Sequence, residues 1–207
     1  MSESIFRYFP VLSVAQREKL LQLKHIYEKW NNMINVISRK DMDNFMVHHV
    51  LHSLSIARII SFLPGTSILD VGTGGGFPGI PLAILFPDSN FTLLDSIGKK
   101  IKVVTSVVNE LELKNVIPVR KRVEEERTRY NFVVSRAVTE FKDFVGMTAK
   151  NIDRSGNNSL SNGILYLKGG DLSTELTQFG NNIKVWDIKD IFDEPFFKTK
   201  KIIYLSV

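Results

Sequence analysis

The segment that most constrains the fold is residues 67–81, SILDVGTGGGFPGIP. A short apolar run enters a glycine-dense turn, and Pro78 and Pro81 stand where proline is tolerated, at the beginning of a helix. Glycines let the backbone turn sharply and let a ligand approach without a Cβ between them. The first amides of a following helix add donors and partial positive charge. The segment therefore predicts a strand, a ligand-binding turn and a helix in succession.

Two acids help to choose the ligand of this turn. Gly74, Gly76 and Gly79 match G-x-G-x-x-G, which fits a dinucleotide site and also a tight turn with no ligand. Asp95 ends the next apolar run, where a carboxylate accepts hydrogen bonds from ribose hydroxyls. Asp70 directly precedes the turn, and its charge would repel a pyrophosphate but suits a ligand with an amine and a sulfonium. A hydrogen bond within the loop, or a helix cap, is the alternative role for Asp70.

After residue 65 short apolar runs alternate with helical segments, which is typical of parallel strands buried on both faces. Helices are predicted at 80–86 and 99–111, and an antiparallel pair at 183–188 and 201–206 closes one edge of the sheet. The fold class is thus α/β, a doubly wound Rossmann-like sheet that is mostly parallel. The five predicted inner strands are Ser67–Val71, 91–94, 116–119, 132–134 and 164–167.

An amphipathic helical region precedes this sheet. Ser13 and Gln16 have the spacing of a capping box, and 13–63 is predicted to be helical, with a break at 41–44. The region ends at Pro64 and Gly65. We expect a helical lobe over 1–64 and a sheet domain over 65–207, packed as one compact unit. The apolar stripe of the first helix comprises Leu20, Leu23, Tyr27, Trp30 and Ile34.

Composition excludes some chemistry. The 207 residues contain no cysteine, so disulfides, thiolate metal sites and a cysteine nucleophile are excluded. The 27 basic and 22 acidic side chains give a net charge of +5, which is compatible with a nucleic-acid partner without requiring one. Neither a basic, apolar leader nor a run of about 20 apolar residues is present. We expect a cytoplasmic protein with no membrane partner.

The pattern h-h-D-x-G-x-G-x-G, with an acid at the end of the next strand, resembles the seven-stranded class I S-adenosylmethionine-dependent methyltransferases. In such enzymes the residues after the third strand cover the adenine, and here they are Val123 and Glu124. The resemblance implies S-adenosylmethionine as the cofactor.

Residues that the chain lacks exclude some target atoms for methylation. Methylation of pyrimidine carbon 5 in RNA needs a covalent cysteine adduct, which this chain cannot form. Methylation of exocyclic amines usually uses an Asn/Asp-Pro-Pro-aromatic motif after the fourth strand. The corresponding segment, 131–138, reads NFVVSRAV and has no proline.

Further motifs resemble the glucose-inhibited division protein B family, which methylate guanosine N7 in small-subunit ribosomal RNA. The similarity runs from Trp30 to about Lys201. Its most specific part is DVGTGGGFPGIPLAI at 70–84. The other motifs are KWNNMINVIS (29–38), VHHVLHSL (47–54), LLDSIGKK (93–100), RVEE (122–125), SRA (135–137) and LKGG (167–170).

This resemblance implies methyl transfer from S-adenosylmethionine to N7 of a guanosine in bacterial 16S ribosomal RNA, free or in the small subunit, by a monomeric enzyme. Guanine N7 carries a lone pair and no proton, so no general base is needed and no catalytic residue is named. The implied cofactor contacts, with Asp95 added from the residues themselves, are Gly72, Gly74, Phe77, Asp95, Val123, Glu124 and Arg136. Candidate RNA contacts are Arg122, Lys168 and Lys200. Arg136 has a plainer alternative, a surface arginine paired with a carboxylate.

The chain departs from the family pattern outside the glycine turn. His48 replaces an arginine, His52 an aspartate and Lys200 an arginine, and residues 35–37 replace an asparagine-leucine-threonine stretch. The histidines at 48, 49 and 52 suggest a metal, but no nearby carboxylate or cysteine is expected, so none is predicted. Three other functions stay open: a small-molecule methyltransferase of the same fold, a dinucleotide-dependent oxidoreductase, and a non-catalytic RNA-binding protein.

Overall fold

The computed structural model describes residues 2–34, 36–136 and 138–207. Across these residues seven strands form one sheet in the order β3-β2-β1-β4-β5-β7-β6. The first five strands run parallel, and β7 is antiparallel to both β5 and β6. The strands are β1 (Ser67–Val71), β2 (Asn90–Asp95), β3 (Val116–Arg120), β4 (Phe132–Arg136), β5 (Gly163–Gly169), β6 (Ile183–Asp187) and β7 (Lys200–Ser206).

Helices of very different lengths surround the sheet. The α-helices are α1 (Ser2–Tyr8), α2 (Val14–Asn31), α3 (His52–Leu54), α4 (Gly79–Leu85), α5 (Gly98–Glu110), α6 (Phe141–Thr148) and α7 (Ser173–Leu176). A π-helical turn covers Met46–Leu51. Short 3₁₀ segments lie at Arg39–Asn44, Ser55–Arg58, Val123–Glu125, Ala149–Asn151, Thr177–Asn182, Ile188–Asp190 and Pro195–Thr199. None of the helices in the described ranges is long and apolar enough to cross a membrane.

The predicted doubly wound α/β sheet is confirmed, including the antiparallel pair at its edge. Chain order reverses between β1 and β4, which lie side by side although two strands separate them in sequence. Ligands of such sheets bind at this switch point, beyond the carboxyl ends of the strands. The topology therefore places the candidate site at the ends of β1, β2 and β4.

Helices cover both faces of the sheet. Successive side chains of each strand point to opposite sides, so the side chains on both faces are buried. On one face Ile68, Phe91 and Phe132 belong to a core that also contains Leu20 and Tyr27 of α2. On the other face, side chains of the inner strands pack against α6 and α7; this second core includes Leu69, Val133, Ile164, Phe141 and Leu176. The continuous apolar runs of these strands follow from burial on both sides.

Hydrogen bonds fasten the helical lobe to the sheet domain. The capping box of α2 is confirmed, since Ser13 Oγ accepts from the Gln16 backbone and Gln16 Oε1 accepts from the Ser13 backbone. The Gln16 amide also donates to the carbonyl of Leu85 at the end of α4 (2.9 Å). Trp30 Nε1 donates to Glu110 at the end of α5 (2.9 Å). These hydrogen bonds join α2 of the lobe to α4 and α5 of the sheet domain.

Several helical segments differ from the sequence-based prediction. Helix α2 ends at Asn31, a 3₁₀ segment covers the predicted break at 41–44, and α1 and α7 were not predicted. The region 45–63 is helical only to Arg58 and contains the π-helical turn. Ser53 Oγ and Ser55 Oγ each donate to a preceding backbone carbonyl at 2.6 Å, and such bonds compete with a regular helical ladder. Helix α6 was not predicted, because it is short and Gly146 interrupts its pattern. Asn35 and Ala137, which belong to two of the motifs, lie outside the described residues.

Because one core crosses the boundary at residue 65, we expect the whole chain to unfold in one cooperative transition. The chain has two tryptophans, Trp30 in the lobe and Trp186 in β6. Trp186→Phe and Trp30→Phe therefore leave one fluorescent reporter in each region. In each variant, the unfolding midpoint measured by fluorescence should coincide with the midpoint measured by circular dichroism on the same variant. A lobe reporter that changes well before the sheet reporter would show two independent units.

Candidate active site

A cleft of about 510 Å³ lies beyond the carboxyl ends of β1, β2 and β4. We call it the first cleft. Its volume falls within the roughly 300–1,000 Å³ of small-molecule sites. Its walls are formed by Val71, Gly72, Leu94, Asp95, Ser96, Ile97, Lys100, Lys121, Arg122, Val123, Glu124, Arg136, Val138 and Met147.

The buried carboxylate of Asp70 organises the glycine turn next to this cleft. Asp70 Oδ2 accepts hydrogen bonds from Thr73 Oγ1 (2.6 Å) and from the Gly79 backbone amide (2.8 Å). Asp70 is fully buried, and these two bonds match the alternative role, a hydrogen bond within the loop or a helix cap. Its other oxygen, Oδ1, has no hydrogen-bond partner among the described residues, and contact with the cofactor stays a prediction. The first amide of α4 is likewise committed to Asp70 rather than open to a ligand. Burial raises the pKa of Asp70 to about 7.

Asp95, at the end of β2, also binds the glycine turn. Its Oδ2 accepts from the Gly74 backbone amide (3.0 Å) and its Oδ1 from the Ile97 amide (2.8 Å). Lys100 Nζ lies 3.8 Å from Oδ2. Asp95 still lines the first cleft. Since a carboxylate has about four acceptor positions, Asp95 can hold the turn and also accept from a ligand hydroxyl.

Gly72 forms the wall of the first cleft at the end of β1. Its φ of +65° lies in the left-handed region that favours glycine. A Cβ at this position would lie 2.6 Å from Cγ2 of Val138, another residue of the cleft wall. Glycine here therefore keeps the cleft in its shape.

The structure brings together most of the residues predicted for the cofactor. Gly72, Asp95, Val123, Glu124 and Arg136 all line the first cleft, together with the predicted RNA contact Arg122. The other two predicted cofactor residues lie behind its wall. Gly74 contributes its amide to Asp95. Phe77 is buried and packs against Tyr27 and Phe45.

A second, smaller cleft of about 210 Å³ adjoins the first. Two of the predicted RNA contacts, Lys168 and Lys200, line it. Lys168 is engaged, since its Nζ lies 2.6 Å from Glu175 Oε2, whereas Lys200 Nζ lies 4.9 Å from the centre of the Phe196 ring. The cleft is thus basic and partly aromatic. Its walls comprise Asp41, His48, His49, His52, Arg136, Leu167, Lys168, Gly169, Phe196 and Lys200.

Arg136 lines both clefts. It does not match the alternative of a surface arginine with a carboxylate partner. One terminal nitrogen donates to the His48 carbonyl (3.2 Å) and the other lies 3.0 Å from His49 Nδ1. Its guanidinium carbon is 5.2 Å from the centre of the Phe77 ring. The lobe therefore fixes this side chain at the end of β4.

The histidines at 48, 49 and 52 do have a carboxylate beside them, and the contrary prediction is wrong. Asp41 Oδ1 lies 2.5 Å from His48 Nδ1, and Asp41 Oδ2 lies 2.6 Å from His49 Nε2. The reason is the 3₁₀ segment Arg39–Asn44, which turns Asp41 back onto the following helix. Among the described residues no cluster of three or more metal-ligand side chains is arranged to hold an ion.

Burial keeps two of these histidines neutral. Burial first, and then the charge of Arg136, lower the pKa of His49 to about 4. The same causes hold the pKa of His52 well below its usual range. His52 Nε2 is buried and has no hydrogen-bond partner within the described ranges. That nitrogen belongs to a side chain that lines the second cleft.

Sequence analysis missed Asp41 and Phe196 as site residues. Phe196 stacks on His48, with ring centres 3.8 Å apart and planes 17° apart. Both residues lie in short 3₁₀ segments with no periodic pattern. The consecutive histidines 48 and 49 were the available signal, because neighbouring polar side chains on a buried segment require polar partners.

The neutral histidines predict a dependence of stability on pH. Between the unfolded pKa of about 6.5 and the folded value of about 4, the unfolded chain binds a proton at His49 that the folded chain excludes. Stability from His49 is therefore lost as the pH falls, by about 2 kcal/mol between pH 7 and pH 5. Asp70 acts in the opposite direction, because its raised pKa favours the folded form at low pH.

Comparison of the wild type with His49→Gln separates the two effects. Urea unfolding at pH 7 and pH 5 should show a smaller loss on acidification in the variant by about 2 kcal/mol. Asp70 and His52 are present in both proteins and cancel in the difference. Identical pH dependences would mean that His49 is not held neutral.

The comparisons with known proteins identify the family of this chain. Residues 16–202 match the family described as rRNA small subunit methyltransferase G. A protein of that name from Flavobacterium johnsoniae is 53% identical over 205 residues, which cover 99% of this chain and 98% of the relative. Another from Phocaeicola vulgatus is 51% identical over 205 residues, with the same shares of the two chains covered.

Solved structures with low sequence identity share the fold. A SAM dependent methyltransferase from Aquifex aeolicus aligns with a TM-score of 0.59 at 13% identity, covering 87% of this chain and 98% of that one. A precorrin-6y C5,15-methyltransferase from Geobacter metallireducens aligns with a TM-score of 0.55 at 10% identity, covering 84% and 92%. With the match at about half of all positions to relatives of nearly equal length, this chain belongs to the rRNA small subunit methyltransferase G family.

Proposed function

We propose that this chain transfers the methyl group of S-adenosylmethionine to N7 of a guanosine in bacterial 16S ribosomal RNA. The family makes it an S-adenosylmethionine-dependent methyltransferase, so an oxidoreductase is no longer favoured. The observation that carries the proposal is the position of Arg136 at the junction of two clefts. The first cleft suits a nucleoside cofactor, and the second suits a base.

The first cleft would hold S-adenosylmethionine. Asp95 would accept from the ribose hydroxyls, and Val123 and Glu124 would border the adenine. Gly72 would let the backbone approach the methionine part of the cofactor. Gly74 and Phe77 would act from behind the wall, through Asp95 and through packing beneath Arg136. When bound, the cofactor supplies an electrophilic methyl group on a positive sulfonium.

The second cleft would receive the target base. Enzymes that act on a base extrude it from its stack and hold it against aromatic side chains. Phe196 and His48 already form a stacked pair at the cleft wall. His52 Nε2 is a buried nitrogen without a partner in the described chain, and a neutral imidazole can accept from an N–H of a base there. Lys200 would meet the phosphate backbone.

The arrangement fits a reaction that needs no general base. His49 is the histidine nearest the junction, and both its ring nitrogens are occupied, by Arg136 and by Asp41. It therefore has no free nitrogen with which to remove a proton. Guanine N7 carries a lone pair, so holding N7 in line with the methyl–sulfur bond is sufficient. The surrounding residues need only orient the two partners.

The decisive experiment is the mapping of modified nucleosides in 16S ribosomal RNA from cells with and without this protein. We expect mass spectrometry to find one 7-methylguanosine that disappears without the protein. Purified protein with S-adenosylmethionine should restore it on naked RNA or on small subunits. Methylation of another base atom, or of a small molecule alone, would contradict the proposal, and so would RNA binding with no methyl transfer.

A location in the cytoplasm follows from the proposed substrate, since bacterial ribosomes lie there. The monomeric state stays a prediction. Sedimentation of the purified protein should give a single species near the 23.6 kDa mass of one chain.

For the cofactor we expect Gly72→Ala to weaken S-adenosylhomocysteine binding at least tenfold. The new Cβ would displace Val138 within the same cleft wall. Gly65→Ala is the matched control, because Gly65 also has a positive φ (+80°) but nothing lies within 4 Å of its Cβ position. Both variants should lose about 1–2 kcal/mol of stability from backbone strain. Calorimetry showing equal affinity for both would place the cofactor elsewhere.

For RNA, two lysines of the second cleft give a matched pair. Lys200 lies over the Phe196 ring with no salt-bridge partner among the described residues, whereas Lys168 is bound to Glu175. Lys200→Ala should reduce the slope of log affinity against log salt by about one, because one phosphate contact is lost. Lys168→Ala should change it less. Filter binding of 16S RNA fragments at several salt concentrations measures both slopes. A larger change of slope in Lys168→Ala than in Lys200→Ala would mean that Lys200 does not contact RNA phosphate.

A further inference from the structure

We propose that Asp41 and His49 are positioning residues that orient Arg136 between the two clefts. The proposal rests on the proposed function, because it concerns how that site is held in place. It assigns a role in the reaction to the helical lobe, beyond covering the sheet.

The protonation of His49 follows from its two neighbours. A guanidinium only donates hydrogen bonds, so His49 Nδ1, 3.0 Å from Arg136, must be an acceptor. A neutral imidazole then carries its proton on Nε2, which donates to Asp41 Oδ2 at 2.6 Å. The three side chains form one directional chain, from the guanidinium through the imidazole to the carboxylate.

This chain compensates the charge of Arg136. Within the described residues no carboxylate lies at ion-pair distance from the guanidinium, although Asp70 and Asp41 both act on it through space. A partly buried cation needs acceptors, and the lobe supplies two, the His48 carbonyl and His49 Nδ1. Asp41 in turn uses one oxygen for His49 and the other for His48.

The surroundings leave the imidazole little freedom. The His49 side chain is only 12% exposed. Its ring stacks on Phe45 with centres 5.8 Å apart and lies 5.2 Å from the centre of Phe77. It stands on the π-helical turn, a distortion that often occurs at functional sites. The acceptor presented to Arg136 is therefore held in place, and a long, flexible side chain is confined to one orientation.

Two substitutions at His49 each keep one of its contacts. The amide oxygen of asparagine can take the place of Nδ1, so His49→Asn keeps an acceptor for Arg136. The amide nitrogen of glutamine can take the place of Nε2, so His49→Gln keeps the contact with Asp41 and leaves Arg136 without its acceptor. We expect kcat at saturating RNA and cofactor to fall on the order of 100-fold in His49→Gln, and by less than tenfold in His49→Asn.

A merely structural role for His49 predicts a different result. Both variants would then lose activity in proportion to their loss of thermal stability, with no preference for asparagine. A double-mutant cycle adds a second criterion: in an Arg136→Lys background, His49→Gln should cause little further loss of kcat. Additive losses would mean that His49 does not act through Arg136, and would overturn the proposal.

The carboxylate has its own matched control. Asp41→Asn should lower kcat at least tenfold, because asparagine lacks the negative charge that acts on Arg136 and has only one acceptor oxygen in place of two. Asp43 is exposed on the same 3₁₀ segment, and Asp43→Asn should leave kcat within twofold. Equal effects of the two changes would overturn the role of Asp41.

Nuclear magnetic resonance separates this proposal from the proposed function. The chain has four histidines, and the ¹⁵N signals missing from His49→Gln identify those of His49. At pH 7 we expect a bare Nδ1 and a protonated Nε2, and a shifted Nδ1 resonance in Arg136→Ala. A wild type with this signature but no methylation of 16S RNA would refute only the proposed function. A protein that methylates RNA with the opposite tautomer, or with full activity in His49→Gln, would refute only the positioning role.

Discussion

One carboxylate oxygen, Oδ2 of Asp70, holds the turn on which the rest of the site depends. It receives the hydroxyl of Thr73 and the first amide of α4, so both ends of the turn are tied to the end of β1. Nothing larger than glycine fits at residue 79, because a Cβ there would lie 2.7 Å from that oxygen. These two hydrogen bonds offset only part of the effect of burial on the pKa of Asp70, whose other oxygen has no partner among the described residues.

From this turn, contacts extend in two directions. The Gly74 amide binds Asp95 and so aligns the end of β2 with the end of β1. The carbonyl of Gly75 accepts a hydrogen bond from the buried hydroxyl of Tyr27 in α2. The lobe thus contacts the turn at Gly75 and the end of β4 at Arg136. A shift of the lobe would therefore reach both clefts, because Arg136 lines both of them and the turn adjoins the first.

Sequence reasoning predicted the sheet well because parallel strands buried on both faces leave short, continuous apolar runs. The strands predicted at 91–94 and 164–167 lie inside the observed β2 and β5. It failed where a side chain's partner is set by tertiary structure. The direction of the Asp70 side chain depends on where α4 begins, and the contact of Asp41 with His48 depends on a 3₁₀ turn without periodicity. Arg136 was predicted at the strand end where cofactor and target should meet, and it lines both clefts. Its partners could not be predicted, because they lie 87 and 88 positions earlier in the chain.

Three of the positions at which the chain departs from the motifs it resembles, His48, His52 and Lys200, converge on the ring of Phe196. His48 stacks on Phe196, His52 meets its edge at 5.5 Å between ring centres, and Lys200 lies over it. The motifs that the chain resembles have an arginine and an aspartate where this chain has His48 and His52, and the carboxylate that His48 contacts is Asp41. Burial keeps His52 neutral, and lysine at 200 keeps the positive charge of an arginine without its planar fork. These residues therefore set the shape and the hydrogen bonding of the second cleft around Phe196. Under the proposed function they would change the fit around the base, while Lys200 would keep a positive charge for phosphate.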